Sequence, residues 1–79
     1  MPWVNCEVTQ AGPAEDGTIY IALRAYDGSL NNWFVAISAA KKEMLATALT
    51  ALSTSKPVTV FLTGTAAYST INRLYVRST

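Results

Sequence analysis

The chain has 79 residues, with six Lys and Arg against five Asp and Glu for a net charge of +1, one cysteine and no histidine. These counts exclude an intrachain disulfide, the usual histidine or paired-cysteine metal centres, and hydrolysis by serine–histidine or cysteine–histidine arrangements. Hydrophobic residues reach 51% and charged residues only 14%, where a globular chain usually carries about 25% charge, so part of the surface is expected against other copies.

The cations Arg24, Lys41, Lys42, Lys56, Arg73 and Arg77 are scattered. They form no stripe able to neutralise a phosphate backbone, which argues against nucleic acid as a partner. No apolar run approaches the roughly 18 residues of a membrane span. Met1-Pro2-Trp3-Val4 lacks the basic and apolar regions of a signal peptide, so an exported protein would be one whose signal has been removed.

Val4, Cys6 and Val8 alternate with Asn5, Glu7 and Thr9, the period of a half-buried first strand. Cys6 reads as a small buried apolar residue, and Glu7 beside it opposes thiolate formation. Gln10 to Gly17, with Gly12-Pro13 and Glu15-Asp16-Gly17, reads as a loop. Ile19, Ile21 and Leu23 form the inner face of a second strand, with Tyr20, Ala22 and Arg24 opposite. Asp27-Gly28-Ser29 predicts a hairpin with a primed turn.

A third strand begins near Asn32, with Trp33, Val35 and Ile37 on one face and Phe34 and Ala36 on the other. Apolar residues on both faces predict burial on both. Ser38 is placed as N-cap of a helix running to about Leu52, whose stripe is Met44, Leu45, Ala48, Leu49 and Leu52. Lys41, Lys42, Glu43, Thr47 and Thr50 stay outside that stripe. Pro57 ends the helical stretch. Val58, Val60 and Leu62 restart alternation against Thr59, Phe61 and Thr63; Gly64 to Thr70 is a loop. Ile71 to Arg77 is the last strand, with Asn72, Leu74 and Val76 opposing Ile71, Arg73 and Tyr75.

The fold class expected from this order is mostly β with one α-helix: a small five-stranded antiparallel barrel, residues 1–79 as one domain, with the helix between strands three and four. That is the order of the oligonucleotide- and oligosaccharide-binding (OB) fold. An α+β roll with the helix on one face of the sheet is the alternative. An open small barrel would leave edge strands that must be covered, charged or paired with a neighbouring copy.

The chain also resembles the B subunits of Shiga-type toxins over nearly its whole length. The resemblance rests on Cys6 in the first strand, Asp16-Gly17-Thr18-Ile19-Tyr20 opening the second, and Asn32-Trp33 ahead of the helix. Pro57-Val58-Thr59-Val60 reopening the sheet and the final Tyr75-Val76-Arg77 complete it. It implies an exported homo-oligomer, a pentameric ring with helices lining a pore and edge strands pairing between neighbours, which binds cell-surface glycans and carries a separate enzymatic subunit. The glycan-binding residues it implies are Asp16, Gly17, Thr18, Asn31, Asn32 and Trp33.

An indole beside amides suits a sugar, because the ring face packs on pyranose C–H groups while amides bond hydroxyls. Core packing is the competing reading of Trp33. The chain departs from the family in lacking a second cysteine near Thr65 or Ala66, in its long Ala-rich helix and in its Tyr68-Ser69-Thr70 loop. The family's disulfide, worth typically about 2–4 kcal/mol, must be offset elsewhere.

No catalytic, cofactor-binding or metal-binding residue is assigned. Glu15-Asp16 reads as a solvated turn rather than an acid–base pair, and Ser38 has no histidine to activate it. The expected function is a non-enzymatic ring-forming oligomer that binds glycans. A self-assembling module with no carbohydrate ligand is the alternative. The first predicts Trp33 or Tyr68 in a shallow polar recess, the second buries them between subunits.

Overall fold

Alternating branched residues set the sheet, and a computed structural model, describing residues 3–64 and 66–78, shows how it closes. The elements are β1 (Trp3–Pro13), β2 (Ile19–Ala25), β3 (Asn31–Ala36), a 3₁₀ turn (Ser38–Ala40), α1 (Lys41–Thr54), β4 (Val58–Leu62) and β5 (Thr70–Val76). The five strands close into a barrel in the order β1-β2-β3-β5-β4. The helix between β3 and β4 packs chiefly on β1 and β5. Closure removes the open edges that a flat sheet of this size would present.

Each strand of the closed barrel has two neighbours, and β1, the longest, divides its length between them. Its first part, Trp3 to Cys6, runs antiparallel to β4, and its remainder, Cys6 to Pro13, runs antiparallel to β2. Cys6 is the crossing point, opposite both Ala25 and Val58. β2 pairs with β3 and β4 with β5 in the antiparallel sense. The last junction, between β3 and β5, is parallel and short: Val35 stands opposite Thr70 and Ala36 opposite Ile71.

The interior is wholly apolar among the described residues, with Phe34, Ile21, Leu23, Leu62, Ile71, Val58, Val60 and Cys6 its largest fully buried side chains. Met44, Ala48 and Ala51 of α1 complete it. At about 25 cal/mol per Å² of apolar surface removed from water, such a cluster supplies the main driving force for the fold.

Five local expectations are corrected. Gln10 to Gly17 is not all loop: β1 continues to Pro13, and only the segment from Ala14 to Thr18 turns, closed by the Ala14 N–H on the Thr18 carbonyl at 2.7 Å. A bulge between Val8 and Gln10 breaks the alternation that would have marked this continuation. Pro13 sits at the end of the ladder, where its missing N–H is tolerated.

The β2–β3 connection is wider than a two-residue primed turn. Ala25 N–H reaches the Leu30 carbonyl at 2.8 Å, and Gly28 N–H reaches the Ala25 carbonyl at 3.0 Å. Gly28, at φ +80, supplies the left-handed residue after the bend.

Ser38 does not cap the helix. Its hydroxyl bonds no helical N–H; the chain enters through the 3₁₀ turn, and Ala40 occupies the N-cap position without a side-chain hydrogen bond. At the other end Ser55 adopts φ 58, and the N–H groups of Ser55 and Lys56 both reach the Ala51 carbonyl, a left-handed cap ahead of Pro57.

The helical stripe is rotated from its expected centre. Met44, Ala48 and Ala51 face the barrel, while Leu49 and Leu52 are 45% and 39% exposed. In β5 the expected alternation fails at Asn72, because Phe61 pairs with Arg73 but Leu62 pairs with Ile71. That bulge turns Ile71 and Leu74, which alternation assigns to opposite faces, both inward.

Burial pushes the Cys6 thiol up from 9.0 to about 12, with the Glu7 charge adding to the effect. The folded state therefore holds this proton more tightly than the unfolded chain. Its stabilising contribution is complete below pH 9.0 and disappears as pH rises towards about 12. Native protein is expected to react with a thiol reagent at pH 8 only after denaturant is added. Between pH 9.0 and about 12 the denaturation midpoint should fall more for the native sequence than for Cys6→Ala; rapid stoichiometric labelling of the folded chain would contradict the buried crossing.

Candidate functional site

β2 and β3 turn their outward face towards two loops, the one after β1 and the one between β4 and β5. In barrels of this strand order that face and those loops are where oligonucleotides and oligosaccharides are taken. Alternation places Phe34 and Ala36 in the interior and leaves Trp33 on the outside, half-buried. Trp33 stands opposite Ala22, whose methyl leaves room for the indole. Tyr20, two residues earlier on β2, shares that outward face.

The third aromatic comes from the β4–β5 loop. Tyr68 adopts φ 65, a left-handed conformation uncommon for a bulky residue. Hydrogen bonds hold it there: its N–H donates to the Trp33 carbonyl at 2.6 Å, Val35 N–H donates to the Ser69 carbonyl at 3.1 Å, and Thr63 N–H donates to the Thr70 carbonyl at 3.0 Å. The Tyr68 ring, 61% exposed, meets Tyr20 edge to face with centroids 5.9 Å apart at 86°.

Trp33 is the shared wall of two recesses. One, of about 480 Å³, is bounded by Gln10, Gly12, Pro13, Tyr20, Trp33 and Tyr68. The other, of about 300 Å³, is bounded by Thr9, Gln10, Asn31, Asn32, Trp33 and Tyr68. No charged side chain lines either recess. The result is a cleft of three aromatic rings edged by the amides of Gln10, Asn31 and Asn32.

The six residues implied by the family resemblance therefore separate into two groups. Asn31, Asn32 and Trp33 belong to this cleft. Asp16, Gly17 and Thr18 lie at the opposite end of the β2–β3 ladder, in a groove of about 360 Å³ with Val35, Ser38 and Lys41. There Lys41 Nζ donates to the Gly17 carbonyl at 3.3 Å and ties the turn to the start of α1. Gln10 and Tyr20 are the cleft residues the sequence reading missed. Tyr20 carried a signal, an aromatic on the face of β2 opposite Ile19 and Ile21; Gln10 carried none, because the bulge before it changes the face it occupies.

No group of three or more His, Cys, Asp or Glu side chains among the described residues is placed to hold a metal ion. No helix there is long and apolar enough to cross a membrane.

Asp16 acts within its own turn. The Thr18 N–H donates to Asp16 Oδ1 at 3.0 Å, and this bond, followed by the Thr18 hydroxyl, holds the carboxyl below its usual value of 3.8, with Lys41 adding a smaller effect. A depressed pKa contributes stability that is complete above pH 3.8 and is lost as pH falls through the folded value. An NMR titration should place the Asp16 midpoint below 3.8, and Thr18→Val should raise it; an unchanged midpoint in the variant would remove the hydroxyl from this account.

Comparison with models of known protein families, with characterised proteins and with solved structures finds no match in any of the three.

Proposed function

We propose that this chain is a non-enzymatic, ring-forming subunit of the toxin B kind, and that the Trp33 cleft takes a neutral pyranose of a cell-surface glycan. The observation that carries the reading is the cleft itself: Trp33, Tyr20 and Tyr68 beside amides, with no charge in the lining. Apolar and aromatic walls with a few placed polar groups suit a small ligand. A sugar satisfies both halves of such a site, since its C–H face covers a ring and its hydroxyls exchange hydrogen bonds with amides. A nucleic-acid strand would need cations along its path, and this cleft offers none.

Assembly draws support from the helix. Leu49 and Leu52 are exposed, and Leu45 beside them is half-buried. They follow the i, i+4, i+7 spacing of one helical stripe. A ring that packs its helices together would cover this stripe. Five copies, export and a separate enzymatic subunit come with the family resemblance and form part of the same proposal. The second reading, an assembly module without a sugar ligand, is favoured by those exposed leucines alone.

One substitution separates the readings, and a double one tests the assembly they share. Trp33→Ala should abolish binding to neutral glycans on an array while light scattering shows an unchanged oligomer; loss of the oligomer instead would favour the assembly module. Leu49→Lys combined with Leu52→Lys should reduce the mass to one chain with little change in the folded circular-dichroism spectrum, because exposed substitutions usually shift stability by no more than about 0.5 kcal/mol each. A native chain that is monomeric at all concentrations would remove the ring.

A further inference from the structure

A second aromatic cluster lies on the other side of the barrel, on the outward face of β1, β4 and β5. Trp3 stands opposite Phe61, and Phe61 opposite Arg73. The next row sets Asn5 against Thr59 and Thr59 against Tyr75. Trp3 and Phe61 meet edge to face at 5.2 Å, and Trp3 stacks on Tyr75 at 5.9 Å with 21° between planes. The Arg73 guanidinium carbon lies 6.0 Å from the Trp3 ring centre.

Interior packing does not account for this cluster, since Trp3 is 47% and Tyr75 53% exposed. It is also electrostatically one-sided. Residues 44–79 contain Lys56, Arg73 and Arg77 and no Asp or Glu, so β4 and β5 carry no carboxylate at all. The ion pair among the described residues, Glu7 with Arg24, lies on β1 and β2 and leaves Arg73 without an acidic partner. Trp3 also lines a recess of about 430 Å³ with Asn5, Tyr26, Asp27 and Ser29. Asp27 accepts from the Ser29 hydroxyl and N–H, and these bonds hold its carboxyl below the usual value and so ionised; that negative charge directs an anion to the Arg73 side.

We propose that Trp3, Tyr75 and Arg73 form a second binding site, separate from the Trp33 cleft, for a sugar bearing a carboxylate. The pyranose packs its C–H face on the indole, and its carboxylate takes the planar fork of Arg73, a charge-assisted pairing that an ammonium group does not reproduce. Asn5 and Tyr26 border the patch where ring hydroxyls would lie. A single strand of nucleic acid suits it less well. Arg73 and Arg77 are too few cations to track successive phosphates. This site does not depend on the Trp33 cleft being a sugar site.

The two tryptophans, Trp3 and Trp33, give each site its own indole N–H in a ¹H–¹⁵N spectrum of the full chain. The probes are methyl glucuronide, methyl glucoside, which replaces the carboxylate with a hydroxymethyl group, and an oligothymidylate. Methyl glucuronide should shift the Trp3 signal saturably and at least about tenfold more tightly than methyl glucoside, the factor that about 1.4 kcal/mol represents. Arg73→Gln should erase that preference and leave the Trp33 signal unmoved, and Arg73→Lys, which keeps the charge and loses the fork, should restore only part of it.

Equal affinity for the two sugars at Trp3, or no Trp3 shift with either, would overturn the proposal. So would tighter oligothymidylate binding at Trp3, which would assign the patch to a nucleic-acid strand. A Trp3 signal that moves with protein concentration alone would assign it to a second copy of the chain. The Trp33 signal reads the neutral-sugar cleft independently, so failure of one site is not mistaken for failure of the other.

Discussion

The structure depends on how one long strand divides its length between its two partners. β1 is long enough to pair with β4 through its first residues and with β2 through the rest, and Cys6 lies opposite a residue of each. A strand that changes partner part-way must bend, and the irregularity between Val8 and Gln10 provides the bend. The placement of both aromatic faces follows from where that bend sends the chain. Before it, β1 displays Trp3 beside β4 and β5; beyond it, β1 carries Gln10 and Gly12 to the rim of the Trp33 cleft. Each half of β1 thus borders one of the two aromatic faces of the barrel.

Cys6 shows how tightly this arrangement is built. It is fully buried at the crossing, where a small side chain is needed and a charge is not tolerated. Its raised pKa records that environment rather than reactivity. Closing the barrel within so short a chain gives a contiguous apolar interior, and the described side chains leave no buried nitrogen or oxygen without a hydrogen-bond partner.

Regular alternation made much of the fold legible in the sequence. Ile19, Ile21 and Leu23, and again Val58, Val60 and Leu62, read as inward faces and are inward faces. What did not read were the irregularities, because a bulge looks like a break in pattern and is indistinguishable from a loop until its partner strand is known. Hence Gln10 to Pro13 read as loop, and Leu74 read as facing away from Ile71. The helix was legible as a helix, with Met44 and Ala48 inward, but not in its exact rotation: alanines and leucines alternate around it, and only the barrel decides that Ala51 goes in while Leu49 and Leu52 stay out. The cleft was half legible. Trp33 and its neighbouring amides stand together in the sequence, whereas Tyr68 reaches them through backbone hydrogen bonds that no local pattern encodes.

The parallel junction between β3 and β5 rests on two opposed pairs, the shortest seam of the barrel. The Tyr68 N–H on the Trp33 carbonyl extends it by one further bond, placed at the floor of the cleft. The seam of the barrel and the wall of the recess therefore share the Trp33 backbone. Any occupant that presses Tyr68 against β3 binds the closed form in preference, and so draws the whole fold towards its native state through mass action. In this molecule one backbone bond belongs both to the recess and to the closure of the barrel.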